Sequence, residues 1–197
     1  AVVRNGRGPH AAAAAPPRAP AVFVLAAGRF WDAGKNVETL DRVAARLGAA
    51  VPVLAAGRLE GPDGTRVSAP HVQALGQLDA ASLAGWLGLA PIYVSLALYE
   101  PFGLSVLEAA LTGCPLVLSD IPVFRELWGG AAAFVPARDD EAIAAVVARL
   151  ATDVGERTRL GAAALVRAKR YSAEAMVTGT LDVYRTLLRD RPGIAIA

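Results

Sequence analysis

A series of short, uninterrupted apolar runs constrains the fold most: VFVLAA at 22–27, VPVLAA at 51–56, PIYVSL at 91–96 and PLVLSD at 115–120. A run without polar alternation suits a strand buried on both faces. Between the first two runs, Lys35 to Leu47 places Val37, Leu40, Val43, Ala44 and Leu47 on one helical face, and Gly48 closes that helix. VQAL at 72–75 reads as a short strand, and Asp79 caps a helix through Leu87. A short helix near Val123 to Leu127 and the strand AAFVP lead to Asp139, after which the pattern is helical as far as Leu188. Strands alternating with helices predict an α/β fold, a parallel sheet with helices on both faces. The near-copies VFVLAAGR and VPVLAAGR lie 29 residues apart, the length of one βαβ unit, and two copies do not make a solenoid.

The chain has 197 residues, 54% hydrophobic and 19% charged, enough apolar material for one compact core and too much for disorder. The net charge of +2 is small and the basic residues are not interleaved with aromatics, so nucleic acid is not an expected partner. A single cysteine, Cys114, excludes an internal disulfide and a cysteine-based metal site, which suits the cytosol. No run of about 18 apolar residues predicts a membrane span. The AAAAA run at 11–15 is broken at once by Pro16 and Pro17 and is too short for a secretory signal. Residues 1–20 are therefore expected to be a linker or flexible tail, 21–171 the folded domain and 172–197 a C-terminal helix and tail.

In a parallel sheet, ligands bind at the carboxyl ends of the strands. The loop after the first run, GRFWDAGKN at 28–36, carries Arg29 and Lys35 as its cations. It fails as a P-loop: five residues, not four, separate Gly28 from the Gly34-Lys35 pair, and Asn36 supplies no hydroxyl for Mg²⁺. A planar guanidinium and a mobile ammonium at a strand end nevertheless suit a diphosphate. A solvated surface pair is the competing reading.

The loop after the PIYVSL run leads into EPFGLSVLEAA at 100–110. Pro101 disfavours helix at Glu100, Gly103 opens a helix, and Glu108 falls on its second turn. The backbone amides of Phe102, Gly103 and Leu104 then stand at a helix N-terminus, where an anion or a sugar hydroxyl is favoured. Glu108 can accept two hydrogen bonds from a vicinal diol. The rise from Gly103 to Glu108 alone is about 7.5 Å. The two glutamates are thus too far apart for a glycosidase acid and base pair, and binding is the better role.

VVRNGR at 2–7, GR with KN at 28–36, EPFGLSVLEA at 100–109, GCPLVLSD at 113–120 and the following Glu126 resemble the C-terminal half of a retaining GT-B glycosyltransferase of glycosyltransferase family 4. The two glutamates spaced by seven residues around PFG are the most specific part. The resemblance implies a Rossmann-like domain that binds a nucleotide diphosphate sugar, with no cofactor and no metal. It assigns Arg29 and Lys35 to the diphosphate and Glu108 to the ribose hydroxyls. Glu100, as the catalytic residue, and the Phe102 to Leu104 backbone would contact the transferred sugar. The departing phosphate would assist the incoming hydroxyl. A sugar or lipid-linked acceptor would bind an N-terminal domain that this chain lacks, so the chain alone is expected to bind donor and transfer nothing. The full-length protein would be cytoplasmic, with peripheral attachment at the inner membrane face compatible with such an acceptor. Ala97 stands where the family often has serine, and Arg4 where it has proline.

Other residues read as structural. His10 and His71 lack a second ligand nearby, Cys114 suits a buried small hydrophobe, and Trp31 packs the cation loop. Leu78 sits where the family's nucleobase lies. The alternatives are a GT-B nucleotide-sugar epimerase and a non-catalytic nucleotide-binding or interaction module.

Overall fold

A computed structural model of the chain describes residues 1–8, 16 and 18–189. The expected linker 1–20 and the expected C-terminal helix and tail 172–197 therefore fall partly outside the described residues, and His10 wholly so. Among the described residues six strands form one parallel sheet: β1 Val24–Ala27, β2 Val53–Ala56, β3 Gln73–Gly76, β4 Ile92–Ser95, β5 Leu116–Ser119 and β6 Ala133–Val135. The spatial order is β3-β2-β1-β4-β5-β6, the doubly wound arrangement in which the chain direction across the sheet reverses between β1 and β4. The strands align in parallel register, Val24 facing Val53 on one side and Ile92 on the other.

Side chains alternate across the pleat, and both faces are buried. Val24, Ala26, Val53, Ile92, Val94 and Val117 belong to one core cluster, which includes residues of α1 (Val37–Leu47) and α5 (Asp140–Thr152). Phe23, Leu25, Leu54, Tyr93, Leu116 and Leu118 belong to the other. Residues of α2 (Ala80–Leu87), α3 (Leu104–Leu111), α4 (Pro122–Trp128) and α6 (Val154–Ala168) join them there. A last helix, α7 (Ala173–Arg189), has no buried residue and exposes Val177, Leu181, Tyr184 and Leu188. No described helix is long and apolar enough to cross a membrane.

Two of the boundaries that differ from expectation have a visible local cause or irregularity. The helix expected from Lys35 starts at Val37, because Asn36 lies in the left-handed region at φ 57° and Ala33–Lys35 forms a separate 3₁₀ turn. The third strand is shifted by one residue, to 73–76, with a register irregularity opposite Ala55 and Ala56.

Candidate functional site

The chain direction reverses between β1 and β4, the usual place for a ligand in such a sheet, and the two loops leaving those strands meet at their carboxyl ends. Lys35, on the 3₁₀ turn after β1, places Nζ 2.5 Å from Oε2 of Glu100 on the loop after β4. Both side chains are largely shielded, at 22% and 12% exposure, so the pair is firmer than a surface ion pair. The stem of Lys35 runs over Gly28, where a β-carbon would meet it at 3.7 Å.

What aligns the two loops is Asn36. Its left-handed backbone turns the side chain inward, and Nδ2 donates to the carbonyls of Leu96 (3.0 Å) and Ala137 (2.7 Å). The Leu98 amide donates to the Gly34 carbonyl at 2.9 Å, and Ser119 Oγ to the Ala97 carbonyl at 2.6 Å. Ala97 thus lies on a segment fixed from β1 and β5 together, with its own methyl buried. No local spacing in the sequence marks Asn36 for this role, since its partners lie 60 and 101 residues away.

Gly103 caps α3 at φ 87°, a conformation glycine adopts without steric penalty. Its amide is not open to solvent chemistry as the motif suggested: it donates to Glu100 Oε1 at 3.0 Å. Glu100 therefore joins the cation of the β1 loop to the start of α3. The Phe102 side chain is buried, edge-on to Tyr171 at 5.7 Å, while Leu104 is exposed.

Glu108 is buried on α3, and Arg7 is one of its partners, with Nε at 2.7 Å and Nη2 at 2.5 Å from the same Oε1. Arg7 is a second residue that sequence reasoning missed. A buried glutamate called for a partner, yet twenty Lys and Arg were available and nothing singled out one 101 residues away.

Arg29 stands apart from the Lys35–Glu100 pair. It is 70% exposed, lies 3.7 Å from Asp32 and sits over the Trp31 ring at 5.6 Å. Trp31 in turn backs onto Gly61, where a β-carbon would lie 3.5 Å from the indole. Arg29, Trp31, Gly57, Arg58 and Gln77 help line a cavity of about 410 Å³ at the carboxyl ends of β1, β2 and β3. Gln77 lines it, whereas Leu78 packs against the core. Gly57, at φ 146°, approaches so closely that a β-carbon would meet the Gly28 carbonyl oxygen at 1.8 Å. The motif residues thus fall into three groups: Lys35 with Glu100 and Gly103, Glu108 with Arg7, and Arg29 beside the cavity.

Residues 21–153 match the family described as glycosyl transferases group 1. The chain belongs to that family. Among relatives of this group 1 glycosyl transferase, the phosphatidyl-myo-inositol mannosyltransferase of Mycobacterium leprae (strain TN) is 34% identical over 131 residues. That match covers 64% of this chain and 35% of the relative. The D-inositol 3-phosphate glycosyltransferase of Nocardioides sp. (strain ATCC BAA-499 / JS614) is 32% identical over 129 residues, covering 64% of this chain and 28% of the relative. Among solved structures, the sucrose-phosphate synthase (tll1590) from Thermosynechococcus elongatus superposes with a TM-score of 0.76 at 26% identity, covering 88% of this chain and 47% of that one. The sheet is the Rossmann-like α/β arrangement of the GT-B glycosyltransferases. The chain spans less than half the length of these curated relatives.

Proposed function

We propose that the chain is the donor-binding half of a retaining hexosyltransferase that moves a sugar from a nucleotide diphosphate sugar to an acceptor hydroxyl. The observation that carries this reading is the union of Lys35 and Glu100 at the β1/β4 reversal, with Glu108 following on the helix that opens at Gly103, whose amide Glu100 accepts. A nucleoside diphosphate docking at the carboxyl ends of the strands meets the Lys35 ammonium and the exposed Arg29 guanidinium, which can follow the phosphates. Its ribose diol faces the Glu108 carboxylate, and its base the cavity flanked by Trp31, Arg58 and Gln77.

Catalysis in this reading is electrostatic. As the glycosidic bond lengthens, negative charge grows on the leaving diphosphate, where the shielded Lys35 ammonium and the Arg29 guanidinium at the rim stabilise it. Glu100 holds Lys35 in place and contacts the transferred sugar. The two cations take the place of a divalent ion, so donor affinity is expected to persist in EDTA. Retention follows if the departing phosphate assists the incoming hydroxyl on the same face of the sugar. Acceptor recognition, for a sugar or lipid-linked acceptor as in the inositol relatives' names, is assigned to the part of those relatives that this chain does not span. This chain alone is then expected to bind donor without transferring it.

Calorimetric titration with GDP, UDP, CDP and ADP tests the reading. At least one is expected to bind, and Glu108→Ala to weaken it about tenfold or more, the scale of hydrogen bonds to a charged group. No binding by any of them would overturn it, as would formation of a sugar epimer without acceptor.

A further inference from the structure

We infer that the cavity beside Trp31 selects guanine, read by Glu60 and Arg58, so that the donor is a guanosine diphosphate sugar. The inference rests on the donor-binding reading above, which directs the base to this cavity, and goes beyond it by naming the base. The cavity of about 410 Å³ is lined by two opposite charges, the Arg58 guanidinium and the Glu60 carboxylate. Trp31 and Pro62 add an apolar wall along which a planar ring can lie, and Gly28 and Gly57 line it without side chains to fill it.

Glu60 is delivered by a short antiparallel hairpin. Its backbone bridges to Arg66, the Val67 amide donates to the Leu59 carbonyl at 3.0 Å, and the Gly61 amide donates to the Thr65 carbonyl at 2.8 Å. The turn is closed by the Asp63 carboxylate, which accepts from the Thr65 amide at 3.1 Å and from its hydroxyl at 2.8 Å. Arg66 meets Glu60 at Oε2, at 2.9 Å, and is itself 78% exposed, so the pair is a weak surface contact that a ligand can outcompete. Glu60 also lines a neighbouring cavity of about 470 Å³, and Arg66 lines that one and not the first. The arginine therefore holds the carboxylate from the side away from Trp31.

The pattern of donors and acceptors then discriminates between bases. A carboxylate with two oxygens is matched by two donors side by side, and guanine offers them as N1–H and its N2 amino group. Its O6 and N7 form the acceptor pair that an arginine fork fits. Uracil presents a single N–H between two carbonyls, which a carboxylate repels. Adenine sets an amino group beside N7, where an arginine finds one acceptor instead of two. Cytosine comes nearest, with one amino group for the carboxylate, a hydrogen bond fewer than guanine makes.

The test titrates the 197-residue chain with GDP, UDP, CDP, ADP and inosine diphosphate, which is GDP without the N2 amino group. GDP is expected to bind about tenfold or more tightly than each of the others, the scale of a hydrogen bond to a charged group. In Glu60→Ala the ratio of GDP to inosine diphosphate affinity is expected to fall to about twofold or less, whereas Arg66→Ala is expected to keep it. Arg58→Ala is expected to weaken both of these nucleotides alike, since both carry O6 and N7. Glu60 and Arg58 are exposed, so thermal melting of each variant is expected to stay within a few degrees of the parent. Binding of UDP, CDP or ADP as tight as that of GDP would overturn the inference and leave the donor reading intact, as would a GDP preference unchanged in Glu60→Ala. Loss of the ratio in Arg66→Ala as complete as in Glu60→Ala would also overturn it, by reducing Glu60 to a fastener of the hairpin. No binding by any of the five nucleotides sinks the donor reading with it.

Discussion

Asn36 combines two demands that few side chains meet, a left-handed backbone and an amide that reaches carbonyls on two other loops. Asn36→Ala removes the two bonds that Nδ2 donates and the one Oδ1 accepts from Thr39, and leaves a residue that tolerates the left-handed region less well than asparagine. A loss of about 2–4 kcal/mol is expected in urea unfolding. Asn36→Gly, which relieves the strain but not the missing bonds, is expected to lose less. Cys114 gives a second residue-scale test. Burial pushes its thiol up to about 12, so it should resist alkylation at pH 8 in the folded protein and react on unfolding in urea. The residues legible in the sequence, Lys35, Glu100 and Glu108, belong to short patterns whose spacing carries the information. Asn36 and Arg7 act on partners that only the fold brings near, and local spacing carries nothing about them.

Helices show the same division between local and non-local causes. Asp79, Asp139 and Asp153 each accept from a backbone amide three residues ahead, at 2.7, 2.9 and 2.8 Å, the geometry that defines an N-cap. Asp79 and Asp139 were expected to open helices, because an acidic residue before an apolar period is a local signal. Asp153 divides one long helical stretch into α5 and α6, a break the apolar period did not reveal. Asp153→Ala is expected to cost about 1 kcal/mol in urea unfolding, since it uncaps α6. Strands proved shorter than the apolar runs that announced them: ladder pairing in β1 begins at Val24, where Val53 and Ile92 stand opposite. Hydrophobicity reports burial, and pairing depends on where the neighbouring strand lies.

For the molecule as a whole, the alternation of strands and helices predicted the parallel sheet but not its strand order, because other doubly wound orders arise from the same pattern. Charge links distant helices across this architecture. Hydrogen bonds from Arg46, and then Arg42, on α1 hold the Asp140 carboxyl of α5 below its ordinary 3.8, and Arg125 does the same for Asp120. A carboxyl depressed in the folded state stabilises the protein above pH 3.8 and ceases to do so as pH falls through its folded value. The urea midpoint is therefore expected to fall between pH 6 and pH 3, and Asp140→Asn to flatten that fall.

The position of β1 at the centre of the sheet also has a consequence for how the protein is made. A nascent chain carrying β1, β2 and β3 but not yet β4 has one edge of a fully apolar strand unpaired, a template for association with other chains. Closing that edge brings Lys35 to Glu100 across 65 residues of sequence, a long loop closure that comes late in folding. The proposed donor site is thus completed in the same step that removes the aggregation hazard, and chains terminated before residue 92 are expected to precipitate without ever displaying it.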